Sequence, residues 1–334
     1  MYIVDSYSIA VMLCVVTMLC WGSWANTQKL ASKEWSFPLF YWDYTLGVIL
    51  LSLVFGLTLG SIGSSGQAFI PNLLNAAPKA ILYALLGGVI FNIANLLLVA
   101  AIEIAGMAIA FPIGIGLALV LGVFNNYLPN PEDYNTLYLF LGVGLVTLAI
   151  IINALAYKKV SQGSKSTKGI ILSLVAGLLM SFFYRFVADS MSPDLVNIVQ
   201  GTFTPYAAVF VFSIGIFISN FLFNFYFMKK PVSGAPVSYK MYFTQGTSKL
   251  HLVGILGGVI WSLGMMLSIM AGDIAGYAIS YGLGQGATLI AAIWGVFVWK
   301  EFRNAPKGTS NLLIIMFASF IAGLALIILA NGAK

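Results

Sequence analysis

Charge is scarce in this chain. Only 8% of its 334 residues are Asp, Glu, Lys or Arg and 60% are hydrophobic, where a soluble domain carries roughly a quarter charged residues. Mean hydropathy is +0.97, so water is not the chain's main solvent. There is one histidine and there are two cysteines. Cys14 and Cys20 fall in a single apolar run, which excludes a disulfide framework and metal-ligand spacing and leaves them as core thiols. His251 stands beside Lys249 at the start of an apolar run and reads as an interfacial side chain. H-E-x-x-H, N-x-S/T and ATP-binding motifs are all missing. One His and no paired carboxylates on a single helix offer no acid/base or metal cluster, so the sequence predicts no catalytic residues, no metal, no cofactor and no enzyme. The net charge of +6 does not point to nucleic acid, because the basic residues sit in short loops rather than in a stripe with aromatics.

Long apolar runs are what the sequence has. A helix needs about 20 largely apolar residues to cross a bilayer. Ten such runs lie at about 7–31, 37–60, 80–101, 105–128, 135–157, 168–188, 203–228, 251–272, 275–299 and 310–330. They lack the alternation of barrel strands, and backbone groups in lipid must be satisfied within each segment. The expected fold is an all-α membrane protein with about ten transmembrane helices. The leading MYIVDSYS has no basic stretch ahead of its apolar run, so the first helix is expected to be retained rather than cleaved.

The polar stretch KKVSQGSKSTK, 158–168, divides the runs into two groups of five, 1–157 and 169–334. Offsetting the halves by 170 residues aligns LGGVI from Leu86 with LGGVI from Leu256, and IAGMAI from Ile104 with IAGYAI from Ile274. Duplication explains the unbroken register. An odd number of helices per half makes the repeats inverted, the architecture of secondary transporters with a midplane site. The loops after runs one, five, seven and nine hold most of the basic residues, including Lys29, Lys33, Lys165 and Arg303, with Lys79 and Lys334 on the other side. The positive-inside rule then places those loops in the cytoplasm and both termini outside, in the inner (plasma) membrane.

Polar side chains within membrane helices are costly and mark pathways. At 1.5 Å rise per residue, Asn92, Asn95 and Gln285 fall roughly 15–20 Å along their helices, near the midplane. They are candidate substrate-binding groups, with Trp21 and Tyr281. Gly284 and Gly286 flank Gln285, and Gly114 and Pro112 occupy the related AFPIGIG stretch; close packing or a hinge is expected there. Trp21, Trp24, Asn26, Gln28, Tyr41, Trp42 and Tyr44 are expected to form an aromatic and amide cluster around Asp43. A carboxylate inside a helix costs several kcal/mol unless paired, hydrated or protonated, which makes Asp43 the candidate proton-coupling group. Glu103 and Asp273 occupy equivalent turns and are expected to cap the helices that follow. Arg185 and Asp189, four apart, are expected to pair on one helix.

The opening MYIVDSYSIAVMLCVVTMLCWGSWANTQKL, FYWDYT around Asp43, PIGIGLALVLGVFNNYLPNP and AAIWGVFVWKEFR resemble the ureide permeases of the drug/metabolite transporter superfamily, over most of the chain. The resemblance implies proton-coupled uptake of small polar solutes such as allantoin and nucleobases, or of sugars as in the sister glucose and rhamnose porters. Asp43 lies in the stretch matching the family's YLDYS pattern. The central loop is shorter than in plant ureide permeases, and Glu103 and Arg185 stand outside the matching stretches. The expected function is a secondary transporter importing a small polar uncharged solute (monosaccharide, ureide, or nucleobase or nucleoside), with a proton or sodium as coupling ion; export of metabolites or drugs is the alternative, and a non-transporting membrane receptor or enzyme the minor one. The expected partners are that solute, the coupling ion and the lipid bilayer, with a homodimer left open and nucleic acid excluded.

Overall fold

The structure, a computed structural model, describes residues 1–32, 34–160, 166–232 and 234–332. Lys33, Lys165, Lys334 and the centre of the 158–168 stretch lie outside the described residues. Ten helices among those described are long and apolar enough to cross a membrane: spans 1 to 10 are Tyr7–Ala31, Phe37–Leu57, Pro78–Ala105, Ile109–Tyr127, Thr136–Val160, Thr167–Asp189, Pro205–Lys229, Ser248–Ala275, Tyr277–Val298 and Thr309–Leu329. The chain is a multi-pass membrane protein, all-helical among the described residues apart from isolated bridges such as Tyr134 with Asn331.

Local chemistry sets the helix starts. The Ser6, Ser166, Thr204 and Thr247 side chains accept N–H bonds from the residue three further on, which satisfies first-turn donors that have no intrahelical partner. Pro38, Pro78 and Pro205 occupy first-turn positions where a missing N–H costs nothing. Span 3 runs past its expected end at 101 to Ala105, where Gly106 turns out of the helix at φ 79°. Span 8 ends the same way at Gly276, φ 80°. Spans 3 and 8 thus keep the 170-residue offset at both ends.

The halves interlock. Span 3 packs on spans 6 and 7, while span 8 packs on spans 1 and 2, and span 10 lies along span 5. Glycines make the crossings tight. A Cβ on Gly47 or Gly258 would strike the carbonyls of Ile255 and Tyr44 between spans 2 and 8, and one on Gly88 or Gly215 would strike those of Phe212 and Leu85 between spans 3 and 7. Such close backbone approach, rather than hydrophobic collapse, is what holds helices together in lipid.

Loops sort onto two faces. On one, Lys29 bonds Glu301 at 2.6 Å, joining the ends of spans 1 and 9, and the Tyr242 hydroxyl reaches Asp43 at 2.5 Å, tying the connection between spans 7 and 8 to span 2. On the other, Ala77 N–H donates to the Gly201 carbonyl at 2.9 Å and Asn135 N–H to that of Ala330 at 2.8 Å. Described basic residues concentrate on the first, from Lys29 through Lys158, Lys229, Lys240 and Lys249 to Lys307. Cys14 and Cys20 are buried free thiols, and Arg185 pairs with Asp189 along span 6.

Candidate functional site

A cavity of about 460 Å³ lies mainly between spans 1, 3 and 9, with spans 4, 5, 6 and 8 completing its wall, and reaches the basic face. Its deep wall is aromatic. The Trp21 and Trp261 rings stack with centroids 5.8 Å apart and planes within 12°, and Phe91 lies 4.4 Å from Trp261. Small residues seat Trp21: a Cβ on Gly284 would come within 2.7 Å of its ring, as would one on Gly264. Its indole N–H donates to the Trp261 carbonyl at 3.2 Å.

Amides provide the polar edge. Gln285 lines the cavity at a break in span 9, where helix Tyr277–Gly284 ends and helix Ala287–Ile293 begins. Gly286 immediately precedes the second piece as its N-cap. Asn95 lines the opposite side and donates to the Tyr41 hydroxyl at 3.2 Å. Asn153, on span 5, completes the set. Charged lining groups gather at the mouth. There Lys29 bonds Glu301 and lies 4.2 Å from the Trp299 ring centre, and the Tyr157 hydroxyl donates to Glu301 at 2.7 Å. Toward the other face the protein is packed: the Tyr184, Ser268 and Ser280 hydroxyls bond one another at 2.7–3.0 Å, all buried.

Of the residues singled out in the sequence, Trp21, Asn95 and Gln285 meet in this cavity. Asn92 and Tyr281 do not line it. Asn92 donates to Ser219 at 2.9 Å in the contact with span 7, and the Tyr281 hydroxyl donates to the carbonyls of Ala118 and Met180 at 3.2 and 3.3 Å. Helix Met107–Tyr127 runs unbroken through Pro112, so the interruption falls on span 9 instead. The Gly114 carbonyl packs against Gly177 of span 6. Glu103 and Asp273 do not cap the following helices. Both lie in the last turns of spans 3 and 8, because the chain leaves the helix only at Gly106 and Gly276; Glu103 faces the cavity mouth.

The expected aromatic and amide cluster divides. Trp21, Trp24, Asn26 and Gln28 border the cavity, whereas Trp42 turns to span 7 and Asp43 to span 8. Asp43 is 1% exposed, and Gly254 on span 8 leaves the space it fills. Three donors converge on its carboxyl: Tyr242 at 2.5 Å, His251 Nδ1 at 2.9 and 3.0 Å, and the Trp35 indole at 3.3 Å. Tyr242 comes from the short helix Tyr239–Gln245, outside the spans. Burial first, then the neighbouring Asp43 carboxyl, hold its phenol above the usual value, so it serves as a donor at neutral pH. His251 is the residue that sequence reading missed. Its one signal was that the sole imidazole, in the first turn of span 8, and the one acid within span 2 both lie toward the basic-loop ends of their helices.

A second cavity of about 290 Å³ adjoins the first, sharing Gln28, Ser32, Val99 and Glu103. Trp35 stands between it and Asp43. The arrangement supplies an amide-edged and aromatic-faced pocket beside a buried carboxyl that is bonded to a partly exposed imidazole.

The chain is similar to known membrane proteins over its whole length. The family model described as ureide permease matches residues 40–168 and 157–330. Ureide permease 1 of Arabidopsis thaliana is 24% identical, covering 99% of both chains. A probable ureide permease A3 of Vigna unguiculata is 22% identical over 92% of this chain and 99% of its own. Transmembrane protein 144 homolog A of Dictyostelium discoideum is 28% identical over 51% of this chain and 42% of its own. A solved crystal structure of a protein aligns over 96% of both chains with a TM-score of 0.61 at 16% identity, a likeness of fold alone.

Proposed function

The chain belongs to the ureide permease family, and on that premise we propose that it is a secondary importer of a small, polar, uncharged solute of the ureide class, driven by proton symport with alternating access. It is a membrane transporter rather than an enzyme. The observation that carries the substrate class is the make-up of the cavity. Ureides are flat and carry N–H and C=O groups around their edge; the Trp21–Trp261 wall suits the face, and Asn95 and Gln285 suit the edge. The lining cation Lys29 is already paired with Glu301 at the mouth, so a charged solute would lose hydration without gaining a partner at depth. A volume of about 460 Å³ fits a small-molecule site.

The positive-inside rule puts the basic face in the cytoplasm, which makes this an inward-open arrangement with the Tyr184 layer as the outer closure. Residues 1–157 and 169–334 act as inverted repeats that rock against each other around the cavity, joined through 158–168. Asp43 exchanges the coupling proton with His251 as partner. Span 2 carries both Asp43 and Tyr41, so its movement against span 8 is transmitted to Asn95. Export of less polar metabolites is the second reading, favoured by the Trp, Phe and Met side chains of the lining.

Uptake of radiolabelled allantoin into proteoliposomes with an imposed inward proton gradient tests the reading. Accumulation that collapses with a protonophore is expected. No accumulation of allantoin, with or without the gradient, would refute it; preference for a monosaccharide or nucleobase would move the substrate class.

A further inference from the structure

We infer that the end of span 7 and the short helix Tyr239–Gln245 form a binding site for the headgroup of an anionic phospholipid on the basic face. The charge there is one-sided. Residues 195–272 contain no Asp or Glu, while Lys229, Lys230 and Lys240 stand close together in the sequence. All three are exposed, and no carboxylate among the described residues pairs with them. Lys29 on the same face, by contrast, is held by Glu301. A cluster of like charges repels itself and creates a positive potential that an anion from outside the chain relieves.

Aromatic side chains gather the lysines and mark their level in the membrane. The Lys229 ammonium lies 5.5 Å from the Phe225 ring centre and that of Lys230 lies 5.9 Å from the Tyr226 ring centre, distances at which a ring face attracts a cation. Tyr239 stacks on the same Phe225, with centroids 5.9 Å apart and planes within 11°, which brings Lys240, the next residue, to the end of span 7. Leu222, Phe225 and Tyr226 are exposed along the last turns of that span, as on a helix that faces acyl chains. Phe243 lies outside the spans and is 77% exposed. At a bilayer interface its ring enters the acyl boundary while the lysine heads stay among the headgroups. None of the three lysines lines either cavity described above, so the anion they attract is one carried at the bilayer surface. The same helix carries Tyr242, whose ring packs on Phe243 at 5.1 Å and whose hydroxyl donates to Asp43. A headgroup seated on Lys240 thus steadies the helix that bonds Asp43.

A bimane attached to Leu222→Cys reports which lipid occupies this place, since brominated acyl chains quench it on contact and the native thiols Cys14 and Cys20 are buried. The full chain is reconstituted in phosphatidylcholine containing a minor share of brominated phosphatidylglycerol or brominated phosphatidylcholine. Half-quenching is expected at an about 10-fold lower mole fraction of phosphatidylglycerol, each lysine near an anionic surface adding a factor of about five. The difference is expected to vanish at about 1 M salt, where screening acts within about 3 Å. Replacing Lys229, Lys230 and Lys240 together by Gln should also abolish it. Replacing Lys158, Lys159 and Lys307, which removes the same charge elsewhere on the same face, should leave it intact. No preference in the parent protein overturns the inference, as does a preference that survives the first triple replacement or falls equally in the second. A preference abolished by millimolar inorganic phosphate would assign the lysines to a free anion and overturn the lipid site.

Discussion

Asp43→Asn is predicted to uncouple transport while leaving the fold and the cavity in place. In the native site Oδ1 accepts from Tyr242 and His251, and Oδ2 accepts from the Trp35 indole and His251. The indole N–H is an obligate donor, whereas a hydroxyl rotates and a neutral imidazole nitrogen accepts in its other tautomer. An asparagine therefore turns its oxygen to Trp35 and its amide to Tyr242 and His251, and every group keeps a partner. The expected loss of stability is about 1 kcal/mol, the difference between charged and neutral hydrogen bonds. Asp43→Ala instead strands the Trp35, Tyr242 and His251 groups together, at about 1–3 kcal/mol for each unpaired one. The amide has no proton to exchange, so Asp43→Asn should retain counterflow exchange of allantoin but lose accumulation driven by a proton gradient. Continued accumulation by Asp43→Asn would remove Asp43 from coupling, and equal destabilisation by Asn and Ala would contradict the three-donor geometry.

His251→Gln should lower the rate of gradient-driven uptake and shift its pH profile, with exchange preserved; an unchanged profile would separate His251 from coupling. Gly284→Ala places a methyl within 2.7 Å of the Trp21 ring and should raise the allantoin KM about 10-fold by tilting the stacking wall; unaltered KM would show that the solute does not lie on Trp21. Gln285→Ala and Asn95→Ala should each raise KM without lowering expression, and if neither does, the site lies elsewhere. Glu301→Gln loses an ion pair whose side chains are 44% and 32% exposed, so its melting temperature should correspond to a loss of about 0–1 kcal/mol; a larger drop would mark the mouth as a structural anchor.

The ten spans were legible because lipid demands long, uniformly apolar helices, and a shortage of charge shows that demand directly. Boundaries were less so: span 3 continues to Ala105 because Gly106 takes a positive φ, and nothing in an apolar run announces which glycine will do so. Depth along the helix located Asn95 and Gln285 but not direction around it, which turns Asn92 and Tyr281 to neighbouring helices. Proline was a poor guide to the interruption. Pro112 is absorbed within a continuous helix, while Gln285 and Gly286, beside the seat of Trp21, break theirs. The pairing of Asp43 with His251 joins residues 208 apart and depends on how spans 2 and 8 cross, information no single segment contains.

A neutral solute carries no charge across a membrane, so any current it triggers belongs to the coupling ion. Recording solid-supported-membrane currents from reconstituted protein during allantoin pulses therefore tests the central claim most directly. The account predicts an inward current that persists when sodium is replaced by potassium and disappears in Asp43→Asn. A current that requires sodium, or full current from Asp43→Asn, would contradict it.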